Sequence, residues 1–424
     1  MSDLSRRGFL RGTALLLVGL LAQGSAASAL ARLAPRARLA RPLRMLAIGD
    51  SVVWGQGLKV ENKFTDMVRD WLCKQRNGGS CENKEDVQLH VEAHSGAIIS
   101  KENDRDDEKE DVRFTRGIAP LKYEGEVNNG YPTILAQVEL AKSYYKSNSI
   151  PPEEVDLVIL DGGINDLNAA KLLLPKWHDG DVRKKADEFC GERMRALLFK
   201  TAAAFPNARI VVIGYFPLVS TVTPPGIIWD TIKEWFHDRR KENLDDGTKV
   251  EEALDERSIE RESRHESGLH PVLNRLAARS REWVRASDEA LNGAVKDLND
   301  HTEKALVVND AAGAPPEAFQ RALFVHVPFK EENAYGTETT FLWKLGRKAS
   351  DAPVECFNEN FAGRLLVNDE MQIERPCMCD QAERTGKLTC VRAGAFHPNT
   401  KGAKAYFNAI TEKLGPILRH TGWV

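Results

Sequence analysis

Five short apolar runs, separated by longer stretches of helical spacing, limit what this chain can fold into. They are Arg44–Ser51 (RMLAIGDS), Val87–Gly96 (VQLHVEAHSG), Val155–Gly163 (VDLVILDGG), Ala208–Pro217 (ARIVVIGYFP), and either Lys304–Asp310 (KALVVND) or Arg321–Val327 (RALFVHV). Between them FTDMVRDWLCKQ, PTILAQVELAKSYYK and ADEFCGERMRALLFKTAAAF set apolar residues three and four apart, as a helix with one buried face requires. Strands apolar along nearly their whole length must be covered on both faces. Alternating with helices, they predict an α/β fold around a parallel sheet covered on both faces. Ligands of such sheets gather outside the carboxyl ends of the strands, so the residues just after each run are the candidates for chemistry.

The first run ends in GDSVVWGQG, with Ser51 at a tight turn before a helix. The second ends in HSGAIIS, with Gly96, and the third in GGIND, with Asn165. Far downstream, GAFHPN places His397 before the start of a helix. These four segments, in this order, resemble the blocks of the SGNH (GDSL) hydrolase family, whose four letters fall on Ser51, Gly96, Asn165 and His397. The resemblance runs from about Arg44 to Leu418. It implies a flavodoxin-like, three-layer α/β/α sandwich around a mostly parallel five-stranded sheet, and a serine hydrolase that uses neither metal nor organic cofactor.

A serine hydroxyl is a weak nucleophile near neutral pH and needs a base to take its proton, the role the resemblance gives to His397. Attack on an ester carbonyl develops negative charge on its oxygen, and donors must already point there. The resemblance assigns these donors to the backbone N–H groups of Ser51 and Gly96 and to the Asn165 amide. Taken singly, each residue also has a structural reading: a helix cap, a turn, a loop brace and a buried ring. Asp50 and Asp166 read as carboxylates that brace loops, and His94 as a surface histidine at a strand end. The family's last block normally carries an aspartate three residues before the histidine, where this chain has Gly394. The departure implies a Ser-His dyad whose ring is oriented by a backbone carbonyl, expected from Gly394. The rival orienter is Asp380.

The N-terminus reads as an export signal over residues 1–31. Arg6 and Arg7, followed by Phe9 and Leu10, an apolar run from Ala14 to Ala22 and a small-residue end at Ala29–Ala31, resemble a twin-arginine signal. A basic leader over 32–43 is expected next, then a single domain over 44–424 with insertions at about 101–130, 218–268 and 328–390. A periplasmic or secreted protein follows, with the twin-arginine export machinery as a transient partner. Seven cysteines fit such a compartment. Cys73 and Cys81 bracket one short loop; Cys356, Cys377, Cys379 and Cys390 cluster late, with three pairings open; Cys190 is the odd one. A zinc site of Cys377, Cys379, Cys390 and His397 is the alternative.

The chain is 42% hydrophobic and 29% charged with a net charge of −3, which gives a nucleic-acid partner no support. Ile228, Ile232, Trp235 and Phe236 form an apolar stripe that either meets a lipid interface or packs on the core. His270–Asp300 reads as a long packing helix, Lys101–Arg113 as a solvated loop, and the aromatics of Glu331–Leu345 as either pocket lining or core. The expected activity is an esterase or lipase acting on a lipid or an acylated sugar. A carbohydrate O-acetyl esterase or O-acetyltransferase is the alternative, and a catalytically idle binding module on the same fold is the rival from another class.

Overall fold

The computed structural model describes residues 41–100, 124–127, 132–173, 180–232, 266–302, 311, 313–348, 365–381 and 390–424. The export signal, most of the basic leader, the Lys101–Arg113 run, the Lys304–Asp310 strand candidate, Trp235, Phe236 and Cys356 lie outside the described residues.

Five strands form one parallel sheet: β1 (Leu43–Ile48), β2 (Val87–Val91), β3 (Leu157–Leu160), β4 (Arg209–Ile213) and β5 (Ala322–Val325), in spatial order β2-β1-β3-β4-β5. The fifth strand is thus the Arg321–Val327 alternative. Every residue of β3 and β4 is buried, as the near-continuous apolar runs require, whereas β2 at the edge is buried only at Val87. β1 begins at Leu43, and the preceding Arg41 forms a two-pronged pair with Asp156 at 2.7 Å, so the last leader residues already belong to the fold.

Helices cover both faces, giving the three layers. On one side lie α2 (Phe64–Arg76) and α9 (Thr400–Leu414), packed on each other. Phe64, Val68 and Leu72 repeat every four residues along the buried side of α2, and Ala403, Tyr406, Ile410 and Leu414 follow one another at three, four and four in α9. On the other side lie α3 (Ile134–Ser147), α5 (Gly180–Ala186), α6 (Met194–Ala204) and the long α7 (Glu266–His301). A π-helical stretch, Asp187–Arg193, joins α5 to α6. Ile228 and Ile232 are buried in the core, so this part of the stripe packs inward. No described helix is long and apolar enough to cross a membrane.

The chain steps from β1 to β2 in one direction and then crosses to β3 on the other side of β1. The crevice between the carboxyl ends of β1 and β3 is therefore the switch point at which such sheets bind ligands. The short helices α1 (Ser51–Trp54) and α4 (Ile164–Leu167) start there. Beyond the sheet, β6 (Leu345–Lys348) pairs antiparallel with β7 (Leu365–Val367), and α8 (Glu374–Gln381) follows.

Candidate active site

Ser51 is the first residue of α1, and the turn that presents it is fastened from three sides. Gly49 has φ +148°, and a Cβ there would lie 2.1 Å from an Asp161 carboxylate oxygen, so a side chain has no room. Its N–H donates to Gln137 Oε1 at 2.7 Å, and the Gln137 amide donates back to its carbonyl at 3.0 Å. Asp50 caps α1, its carboxylate accepting from the Val52 N–H at 2.8 Å, while its own N–H donates to Asp161 at 2.8 Å. Burial raises the pKa values of both Asp50 and Asp161. The Tyr215 hydroxyl, at the end of β4, donates to Asp50 Oδ2 at 2.9 Å and accepts the Ile164 N–H at 3.3 Å.

His397 meets Ser51 across 346 residues of sequence, its Nε2 lying 2.7 Å from the Ser51 Oγ. The loop that carries it is clamped by Phe341–Trp343: the Trp343 N–H donates to the His397 carbonyl at 2.8 Å, and the Phe396 N–H to the Trp343 carbonyl at 3.0 Å. Phe396 takes φ +66°, a left-handed conformation that typically costs a non-glycine residue about 1–3 kcal/mol. Its ring stacks on Tyr335 at 4.0 Å, which helps to hold it there. Of the aromatics in Glu331–Leu345, Tyr335 thus holds the histidine loop by its ring and Phe341 and Trp343 by their backbone, while Leu345 reaches the cavity.

The carbonyl in hydrogen-bond contact with His397 Nδ1 is that of Ala395, at 3.1 Å. The Gly394 carbonyl, the expected orienter, also acts on the ring and raises its pKa, and it accepts the backbone N–H of His397 at 3.2 Å. The left-handed turn at Phe396 aims the Ala395 carbonyl at the ring. The side chain of the rival orienter, Asp380, lies outside the described residues. Nδ1–H donating to Ala395 leaves the Nε2 lone pair to face the serine hydroxyl, the tautomer a base requires. Burial lowers the His397 pKa to about 4; the Glu126 charge and the Ala395 carbonyl pull it back upward.

Ser51, Gly96, Asn165 and His397 line one cavity of about 290 Å³. Gly96 holds φ +80°, and neither its N–H nor that of Ser51 has an acceptor among the described residues. One hydrogen of the Asn165 amide goes to the Ala97 carbonyl at 3.0 Å, leaving the other for a ligand. The remaining wall is mostly apolar, with Ile164, Leu173, Phe216, Leu218, Leu345 and Phe396, and Arg392 contributes a cation.

Asp166 accepts from the Ile99 N–H at 2.9 Å and from Arg193 at 3.2 Å, a loop brace as expected; burial raises its pKa to about 6. His94 departs from expectation: it is buried, with Nδ1 against the Ser95 carbonyl at 3.0 Å. Cys73–Cys81 and Cys379–Cys390 are disulfides, Cys377 is disulfide-bonded too, and Cys190 is free and buried. These bonds overturn the zinc alternative, because all three of its sulfurs are engaged. They fit a periplasmic or extracellular compartment.

Sequence reasoning passed over Asp161, Gln137 and Tyr215, which hold the serine turn, and Glu126, Asp369 and Arg375, which pack beside the histidine loop. Asp161 stood in view in LDGGIND, a carboxylate at the end of an otherwise apolar strand. The others carry no local signal.

Compared with known proteins, the chain matches no family model and no curated protein. Among solved structures it is similar to phospholipase A1 from Streptomyces albidoflavus NA297, at 11% identity and a TM-score of 0.36, over 88% of this chain and 99% of that one.

Proposed function

We propose that the protein is an exported serine esterase that hydrolyses fatty-acyl esters through a Ser51–His397 dyad. The observation that carries this reading is the 2.7 Å contact between His397 Nε2 and Ser51 Oγ, at a cavity that Gly96 and Asn165 also line. Ser51 Oγ attacks the ester carbonyl carbon as Nε2 takes its proton. The resulting oxyanion is held by the N–H groups of Ser51 and Gly96 and by the Asn165 amide, and losing one such donor typically costs about 2.7–4 kcal/mol of barrier. Collapse of the intermediate returns the proton from Nε2 to the departing alcohol and leaves an acyl-Ser51. Water, deprotonated by the same nitrogen, then releases the acid.

The cavity favours a fatty chain over an acetyl group. At ~30 Å³ for a water-sized group, 290 Å³ has room for about ten such groups, and an apolar wall rewards methylenes. Export across the membrane completes the reading, resting on the N-terminal pattern and on the disulfides.

The test is fluorophosphonate labelling of the wild type and of Ser51→Ala, followed by hydrolysis of p-nitrophenyl esters of increasing chain length. Labelling confined to the wild type, with kcat/KM highest for medium chains, is expected. Equal labelling of both proteins sinks the assignment of Ser51, and a clear preference for acetate supports the O-acetyl alternative instead.

A further inference from the structure

Beside the dyad lies a buried ionic cluster that the proposed chemistry does not use. Arg375, Glu126 and Asp369 have side chains 0–1% exposed. The Glu126 carboxylate accepts from Trp54 Nε1 at 2.8 Å, from Gln56 Nε2 at 2.9 Å and from the Gly57 N–H at 3.0 Å, all in the segment that leaves Ser51. It also accepts from Arg375 Nε at 3.1 Å and Nη2 at 2.8 Å. Arg375 Nη2 donates to Asp369 Oδ2 at 2.6 Å, and Nη1 donates to the Val391 carbonyl at 3.2 Å, in the loop that leads to His397. Lys63, itself buried, sits 3.3 Å above the Trp54 ring.

Gly394 marks where this cluster meets the histidine loop. A Cβ at that position would fall 2.0 Å from Asp369 Oδ2 and 3.0 Å from Arg375 Nη2. The space that a side chain three residues before the histidine would need is therefore filled by a carboxylate from another segment. A buried ion pair is a poor way to gain stability, because desolvation offsets most of the attraction, whereas removing one partner is costly because it leaves a buried charge uncompensated.

We propose that Arg375, held between Glu126 and Asp369, is a positioning residue that registers the His397 loop against the Ser51 segment, with Asp369 filling the place that Gly394 leaves open. This rests on the dyad reading above. It predicts that the cluster governs the rate and the acid response of His397 and not only the stability of the fold. Among the described residues the ionisable groups near the ring and the cavity include Glu126, Asp369, Arg375, Lys63 and Arg392, with Asp50, Asp161 and Asp166 around the serine turn.

Two measurements test it. In Glu126→Gln, kcat is expected to fall at least tenfold with KM within about twofold, since displacing a catalytic group by an ångström can cost about 10²-fold. Loss of a negative charge near the ring should also move the acid limb of kcat/KM to lower pH. An unmoved limb, with any loss of kcat explained by loss of folded protein, overturns the proposal.

The second measurement is a cycle of Gly394→Asp, Asp369→Gly and the double variant, each assayed for kcat and melting temperature. Each single variant is expected to lose at least tenfold in kcat. Gly394→Asp has no room, and Asp369→Gly leaves Arg375 short of a partner. The double variant, which returns one carboxylate to the same space, is expected to recover at least tenfold over the weaker single. A double variant no better than that single overturns the proposal, and this cycle decides alone if Glu126→Gln does not fold. Fluorophosphonate labelling of Ser51 in the wild type keeps a failure of the dyad reading apart from a failure of this one.

Discussion

His397 has a backbone carbonyl where a serine hydrolase often has a carboxylate, and a neutral partner stabilises the imidazolium less. Burial lowers its pKa to about 4 while Glu126 and the Ala395 carbonyl partly offset this, so the ring is the neutral, proton-accepting form throughout the neutral range. The sign follows: activity is lost only as pH falls through about 4, when the base takes up a proton. The expected kcat/KM profile for a soluble p-nitrophenyl ester is flat from about pH 8 down to about pH 5 and falls below that. Substrate filling the cavity removes the water that reaches the ring, so the limb in kcat should lie at still lower pH than the limb in kcat/KM. A limb near 6.5, the value of a free imidazole, would contradict the desolvation of the ring, the one large effect that lowers its pKa. Ser51, Gly96, Asn165 and His397 were legible because each closes an apolar run or opens a helix. That the Ala395 carbonyl also reaches the ring was not, because it depends on the φ of +66° at Phe396, whose ring stacks on Tyr335 and whose N–H donates to the Trp343 carbonyl.

Among the elements, the ends of β1, β3 and β4 are tied together by one hydroxyl. Tyr215 donates to Asp50 Oδ2 and accepts from the Ile164 N–H, so it links the serine turn to the segment that carries Asn165. Tyr215→Phe keeps the ring and leaves a buried carboxyl oxygen and a buried N–H short of a partner, which costs about 1–3 kcal/mol. Urea denaturation should show that loss as a lower midpoint at an unchanged slope, and kcat should fall with it because both sides of the oxyanion site lose their register. Wild-type kcat in a destabilised variant would mean that the bond holds the core but not the site. The strands themselves were readable from their apolar runs and the helices from their spacing. The π-helical stretch at Asp187–Arg193 was not, since its residues keep an ordinary helical composition. It brings Cys190 against Gly163, where a Cβ would lie 2.7 Å from the sulfur.

Across the whole molecule, the site joins segments that sequence order keeps far apart, and two disulfides divide its stability from its activity. The sheet order and the crevice between β1 and β3 were foreseeable, because parallel strands joined by helices allow few arrangements. Glu126, Asp369 and Arg375 were not, since they stand in polar stretches without periodicity and acquire meaning only where those stretches converge. Cys73–Cys81 closes a separation of 8 residues at the end of α2, and Cys379–Cys390 closes one of 11 between α8 and the histidine loop. By chain entropy each contributes about 2.5 kcal/mol, so stability alone does not distinguish them. Their surroundings do: Cys390 immediately precedes Val391, whose carbonyl accepts from Arg375, and Arg392 and Ala393, which line the cavity. Replacing Cys73 and Cys81 together by alanine should lower the unfolding free energy and leave kcat within about twofold, because distant sites act independently. Replacing Cys379 and Cys390 together should lower stability by a similar amount and reduce kcat at least tenfold, with the greater loss for longer acyl chains. Equal kcat in the two double variants, measured where both remain folded, would show that the late disulfide holds the chain together without shaping the site.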